Sequence, residues 1–199
     1  MHKLLIASKN PGKIKEIKDI LLGIPYEIKS LNDIGLDIDV EETGKTFAEN
    51  AILKAKTIGE KTGLITLADD SGLEVDALNG KPGIHSARYA AGNDMDRINK
   101  LLKELSGIPK EKRTARFVAV IVLYNPETKN TQIFEGVSEG YITEKPIGSS
   151  GFGYDPVFFN LGLGKTNAES TSEEKNKISH RARALKKCKE FILNNSLGV

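Results

Sequence analysis

Apolar and polar positions along this chain fall into blocks that read as strands and helices in turn. Lys3-Leu4-Leu5-Ile6-Ala7 is a short apolar run of the buried-strand type, broken by Ser8-Lys9-Asn10-Pro11-Gly12. Ile14, Ile17 and Leu21 then recur at helical spacing. Thr46-Phe47-Ala48-Glu49 has the pattern of a capping box and opens a second helix, with Phe47, Ala51, Ala55 and Ile58 on its apolar face and Gly63 as its stop. Leu64 to Ala68 predicts a strand leading into a turn at Asp69-Asp70-Ser71-Gly72, and Leu73 to Leu78 alternates as an exposed-edge strand would.

Further on, Asn93 caps a third helix carrying Ile98, Leu101, Leu102 and Leu105, which Gly107 closes. Phe117 to Leu123 is apolar without alternation, the signature of a central strand covered on both faces. A turn at Asn125-Pro126-Glu127-Thr128 leads into Thr131 to Glu135, completing a hairpin. One last helix is expected from about Ser172 past Phe191, with Ile178, Ala182, Leu185 and Ile192 facing inward. Strands alternate with helices early and pair as hairpins later, which predicts an α/β fold with a mixed sheet.

Composition narrows the class. At 199 residues the chain is expected to form a single domain, 1–199, with a sizeable core. Twenty-nine basic and 27 acidic residues leave a net charge of +2, too balanced for the dense basic face that nucleic acid requires. The single cysteine, Cys188, cannot form an internal disulfide, and it is expected to pack as a small apolar residue on the last helix. The first apolar run ends at Ser8, far short of a membrane span. We therefore expect a cytoplasmic protein that binds neither nucleic acid nor membrane.

The chemistry gathers at a few points. Two adjacent aspartates at a strand end point to opposite faces, so one can bind a metal or a water while the other anchors the turn. Forced together they would repel, unless a cation is present. Ser8 to Lys13 stands between a strand and a helix start, where backbone N–H groups face an anion, and Lys9, Lys13 and Lys15 surround it. An ordinary polar turn with solvated lysines is an equal alternative for that loop alone. Glu41-Glu42-Thr43-Gly44 precedes the second helix and either serves its positive end or lends a carboxylate to a hard cation shared with Asp70. Without a histidine or cysteine cluster, such a site suits magnesium better than zinc. Asn50 and Lys54 share one helix face. Gly148 to Pro156 is a glycine-framed loop presenting Phe152 and Tyr154, either as hairpin aromatics or as stacking surfaces for a base. Lys175, Ser179, His180 and Arg181 cluster on the last helix, and the Arg181 fork would favour a 6-keto over a 6-amino purine. Gly164-Lys165-Thr166 imitates the end of a P-loop, but Phe159 stands where its first glycine belongs.

In order along nearly the whole chain stand Ser8-Lys9-Asn10-Pro11-Gly12-Lys13, Glu41-Glu42-Thr43-Gly44, Ala68-Asp69-Asp70-Ser71-Gly72-Leu73, Phe152-Gly153-Tyr154-Asp155-Pro156 and Ile178-Ser179-His180-Arg181. Pro82-Gly83-Ile84-His85-Ser86-Ala87-Arg88-Tyr89 lies among them. Together these resemble the inosine triphosphate pyrophosphatase family, which acts on noncanonical purine nucleoside triphosphates. The resemblance implies an elongated mixed β-sheet flanked by helices, in two lobes with a central cleft. It also implies a Mg²⁺-dependent homodimer that hydrolyses ITP, dITP and XTP to the monophosphate and pyrophosphate. By the same resemblance Ser8, Lys9, Asn10, Pro11, Gly12, Lys13 and Ser71 would hold phosphate and sugar. Asp70 would activate water and, with Glu41, bind the metal; Lys54 would assist at the phosphates. Phe152, Gly153, Tyr154, Asp155, Lys175, His180 and Arg181 would form the base pocket. Ser149-Ser150 departs from the glycine that the family pattern places nearer Phe152.

Overall fold

The computed structural model describes residues 2–195. Among them, seven strands form one open sheet in the order β2-β1-β3-β4-β5-β6-β7. The strands are β1 (Lys3–Ile6), β2 (Glu27–Ser30), β3 (Ile65–Val75), β4 (Thr114–Tyr124), β5 (Thr131–Ile142), β6 (Phe158–Asn160) and β7 (Lys165–Thr166). The helices are α1 (Pro11–Ile20), α2 (Phe47–Thr62), α3 (Asp94–Glu104), α4 (Ser172–Ile178) and α5 (His180–Asn194). β1 runs parallel to both β2 and β3, whereas β6 is antiparallel to β5 and β7, so the sheet is mixed as expected.

The chain forms two compact units. The first contains residues up to Asp70, Ala119–Gly136 and residues from Arg181 onward. Its core joins Leu4, Ile6 and Leu67 of the parallel strands to Ile121 and Leu123 of β4, Ile17 of α1, and Leu185, Cys188 and Ile192 of α5. Cys188 is fully buried there, and burial pushes its thiol up to about 12. The second unit contains Ser71–Val118 and Val137–His180. Its core joins Leu73 and Val75 to Ile98, Leu101 and Leu105 of α3, and to Phe117, Ile142, Val157 and Phe158. The unbroken apolar run in β4 is buried throughout Phe117 to Tyr124, as a strand covered on both faces must be.

Four local expectations are corrected. Asp69-Asp70-Ser71-Gly72 is not a turn but the middle of β3. Both carboxylates are buried and each is ion-paired, so an extended backbone can carry them through the sheet. The strand ends at Val75, and Asp76–Leu78 folds into a short 3-10 turn. The last helix is two helices, because Ser179 takes an extended conformation (φ −62°, ψ 159°) between α4 and α5. Serine there suits the residue before a helix, where extended dihedrals and a side-chain oxygen are favoured. At α2, Thr46 Oγ1 accepts from Glu49 N at 3.1 Å, but the Glu49 carboxylate accepts from Lys45 N (2.6 Å), one residue outside the expected capping box. The P-loop imitation at Lys165-Thr166 is the short strand β7.

Candidate active site

Two clusters of functional side chains form, one in each unit. In the first unit they surround the middle of β3. Neighbouring strand residues point to opposite faces, and the two aspartates meet different helices. Asp69 accepts from Lys13 Nζ of α1 at 2.5 Å and from Arg181 Nε of α5 at 2.7 Å. Burial opposes the Asp69 charge, but Arg181 and Lys13 outweigh it and hold the carboxyl well below the usual range. Arg181 Nη1 also meets Glu16 at 2.5 Å, so its guanidinium lies between two carboxylates. Lys13 is pulled down by burial and by the neighbouring Arg181 and Lys54 cations, against the attraction of Asp69.

Lys13 stands in the first turn of α1, which Asn10 caps by accepting from Lys13 N at 3.0 Å, with Pro11 opening the helix. Ser8 Oγ accepts from Asn10 N at 3.2 Å, tightening the loop after β1. First turns of α2, α3 and α4 carry acidic side chains; that of α1, like that of α5, carries none. Its positive end is therefore left without an internal carboxylate, as a phosphate-binding helix start requires. Lys9, by contrast, is exposed and pairs with Asp37 at 2.6 Å, and Lys15 is exposed.

On the other side of β3, Lys54 Nζ lies 3.0 Å from each of three acceptors: Asp70 Oδ1, Glu42 Oε1 and the Asp69 carbonyl. Burial opposes the Lys54 charge, yet Asp70 and Glu42 hold its pKa above the ordinary value. Asp70 is raised, because burial outweighs Lys54 and Lys13. Its second oxygen, Oδ2, is buried and has no hydrogen-bond partner. Glu42, not Glu41, is the carboxylate at Lys54, and Glu41 is exposed. The loop is fastened to α2, where Asn50 Oδ1 accepts from Gly44 N at 2.8 Å. The sequence signal was the Glu-Glu pair, which in an irregular loop carries no register.

In the second unit, Gly151 and Gly153 take left-handed φ values of 81° and 62° and shape the aromatic loop. Asp155 is its buried hub: Oδ2 accepts from Phe152 N (3.0 Å) and Lys175 Nζ (2.6 Å), and Oδ1 from Asn167 Nδ2 (3.0 Å). Lys175 is buried and lies 4.7 Å from the centroid of the half-buried Phe152 ring. Tyr154 packs into the core and donates to Ser86 O at 2.9 Å. His180 stacks on Phe117 (4.7 Å, 11°), which in turn meets Phe158 edge-on. Ser71 is half-buried in β3. Long-range partners such as Glu16, Asn167 and Phe117 carried no sequence signal, because nothing in local spacing marks a contact made across the fold.

A model of the Ham1 family matches residues 4–191. Among curated relatives, the dITP/XTP pyrophosphatase of Bacillus licheniformis is 54% identical over 96% of this chain and 98% of its own. That of Bacillus subtilis is 50% identical over the same shares. Among solved structures, the Staphylococcus aureus Ham1 protein is 42% identical with a TM-score of 0.86, covering 98% of this chain and 100% of that one. A HAM1 protein from Coxiella burnetii is 40% identical with a TM-score of 0.89 at the same coverage. Full-length agreement in sequence and in sheet architecture coincides with the ordered motifs around Asp70 and Phe152, and the chain belongs to the Ham1 family.

Proposed function

We propose that this protein is a nucleoside triphosphate pyrophosphatase acting on dITP, XTP and ITP. It would release the monophosphate and pyrophosphate and keep these nucleotides out of DNA and RNA. The names of its relatives support the reaction class. The observation that carries the reading is the buried Asp70: one oxygen is fixed by Lys54 and the other is unpartnered, beside the Glu42 carboxylate on the same lysine.

That pair of carboxylates fits Mg²⁺. A hard divalent cation takes one or two protein carboxylates and completes its shell with water and substrate phosphate. Its protein ligands would be Asp70 and the acidic loop before α2, through Glu41 or through Glu42 at Lys54. When bound, Mg²⁺ supplies charge neutralisation at the phosphates and makes water more acidic. Asp70 would take the proton of an attacking water, with Lys54 holding the carboxylate at Oδ1. Ser8 to Lys13 would cradle the phosphates, Lys13 offsetting their charge, and Ser71 would contact the sugar. Phosphoryl transfer needs positioning and charge neutralisation more than covalent chemistry, and this cluster offers both.

The base would be held by Phe152, Gly153, Tyr154, Asp155, Lys175 and His180. Arg181 would complete the base pocket, its guanidinium oriented by Asp69 and Glu16. We further read the chain as a single catalytic domain working as a cytoplasmic homodimer. Among the described residues, no helix is long and apolar enough to cross a membrane. A panel of XTP, dITP, ITP, GTP, dATP and pyrimidine triphosphates, assayed for pyrophosphate with and without EDTA, tests the proposal. Preference for the first three, abolished by EDTA and restored by Mg²⁺, is expected; release of orthophosphate instead of pyrophosphate would overturn it.

A further inference from the structure

We propose that Asp94 is a positioning residue for the base-holding loop, fixing the Phe152-Gly153 backbone and thereby setting the preference among purine bases. The inference rests on the reading that this loop holds the base. Two acids stand in the first turn of α3, and they do different work. Asp96 closes the capping box with Asn93, accepting from Asn93 N at 2.8 Å while its own N–H meets Asn93 Oδ1. Asp94 turns away from the helix: its Oδ2 accepts from Gly153 N at 2.6 Å, 59 residues along the chain. Its Oδ1 is held by Arg97, which also donates to Gly92 O. The carboxylate is thus oriented from behind before it reaches the loop.

The geometry of the loop makes that contact consequential. A side chain added at Gly153 would meet nothing within 4 Å, so glycine is present for its left-handed φ rather than for lack of room. Of the two successive N–H groups at Phe152 and Gly153, the first is held within the loop by Asp155 and the second by Asp94. The same Asp155 oxygen that holds Phe152 N also holds Lys175, whose ammonium faces the Phe152 ring. Rotating the Phe152-Gly153 peptide would therefore move the ring relative to Lys175. Small displacements of this kind alter discrimination between bases more than they alter the reaction.

An acid in the first turn of a helix is otherwise explained by the helix dipole, and substitution separates the two roles. Asp94→Asn keeps one acceptor, for Gly153 N, and gives up the charge and the oxygen that Arg97 holds; Asp94→Glu keeps the charge and displaces both oxygens. Steady-state kcat and KM for XTP, dITP and dATP, together with melting temperature, are measured for both and for Asp94→Ala. Asp94→Glu and Asp94→Ala should raise KM for XTP and dITP roughly tenfold, with kcat changed little, narrowing the preference over dATP, as expected for loss of one charge-assisted hydrogen bond. Asp94→Asn should retain the wild-type preference. Any other pattern overturns the proposal, a wild-type-like Asp94→Glu being the clearest. Wild-type enzyme without preference for XTP and dITP would instead refute the functional reading beneath it.

Discussion

Asp69 and Asp70 are consecutive on β3 yet are held by different cations, Asp69 by Lys13 and Arg181, Asp70 by Lys54. The strand's alternation separates a carboxylate paired on both oxygens from one whose second oxygen has no hydrogen-bond partner. Asp69 is fully paired and fully buried, and removing its charge strands two cations. Asp69→Asn should therefore cost about 3–5 kcal/mol of stability in urea unfolding. Asp70 is raised by burial and carries an unpartnered oxygen, so Asp70→Asn should fold at least as well as wild type. It should lose turnover by about a thousandfold, with little change in nucleotide affinity. Equal stability losses in the two variants would contradict this division.

The same asymmetry predicts the pH dependence. Asp69 is depressed, so the stability it contributes is complete above the unfolded carboxylate pKa, about 3.9, and is lost only as pH falls below that. It stays ionised wherever the enzyme works. Asp70 is raised by burial and must be deprotonated to accept a proton, so activity should fall on the acid side at a pH above the ordinary carboxylate value. A kcat/KM profile between pH 4 and 9, measured where circular dichroism shows a native fold, checks this.

Much of this arrangement was legible in the sequence. Helical spacing found the buried faces of α2 and α3, Asn93 and Thr46 announced the caps, and the unbroken run in β4 marked the central strand. The Asp69-Asp70 turn was misread because adjacent charges normally exclude a buried strand; Lys13, Arg181 and Lys54 allow it, and they come from three different helices. Ser179 was absorbed into one long helix because apolar spacing survives a one-residue break. That Glu42 of the acidic pair reaches Lys54 was not legible, because the loop is fastened by Asn50 reaching back to Gly44, a contact that periodicity does not encode.

That contact can be tested from its other end. A Cβ at Gly44 would stand 2.7 Å from both Asn50 Oδ1 and Glu49 Cβ, so the loop closes only over glycine. Gly44→Ala should displace the loop bearing Glu42 at a cost of about 1–3 kcal/mol. The concentration of Mg²⁺ giving half-maximal activity should rise, and Mn²⁺ bound to the nucleotide-free protein, read by electron paramagnetic resonance, should bind more weakly. Unchanged Mn²⁺ affinity in a folded variant would detach this loop from the metal.

Lys54 ties the two carboxylates together, and its removal should shift the chemistry in a defined direction. Lys54→Met keeps much of the side chain's apolar length but leaves Asp70 and Glu42 without their shared cation. Lys54 opposes the burial that raises Asp70, so its loss raises Asp70 further. The acid limb of the pH–activity profile should move to higher pH. At its optimum, kcat should fall about a hundredfold, the scale seen when a preorganised cationic or hydrogen-bonding group is taken from a charged transition state. Raising Mg²⁺ should recover part of the loss, since the cation would then neutralise carboxylates that Lys54 no longer reaches. An acid limb that stayed in place would show that Asp70 is not the group titrating there.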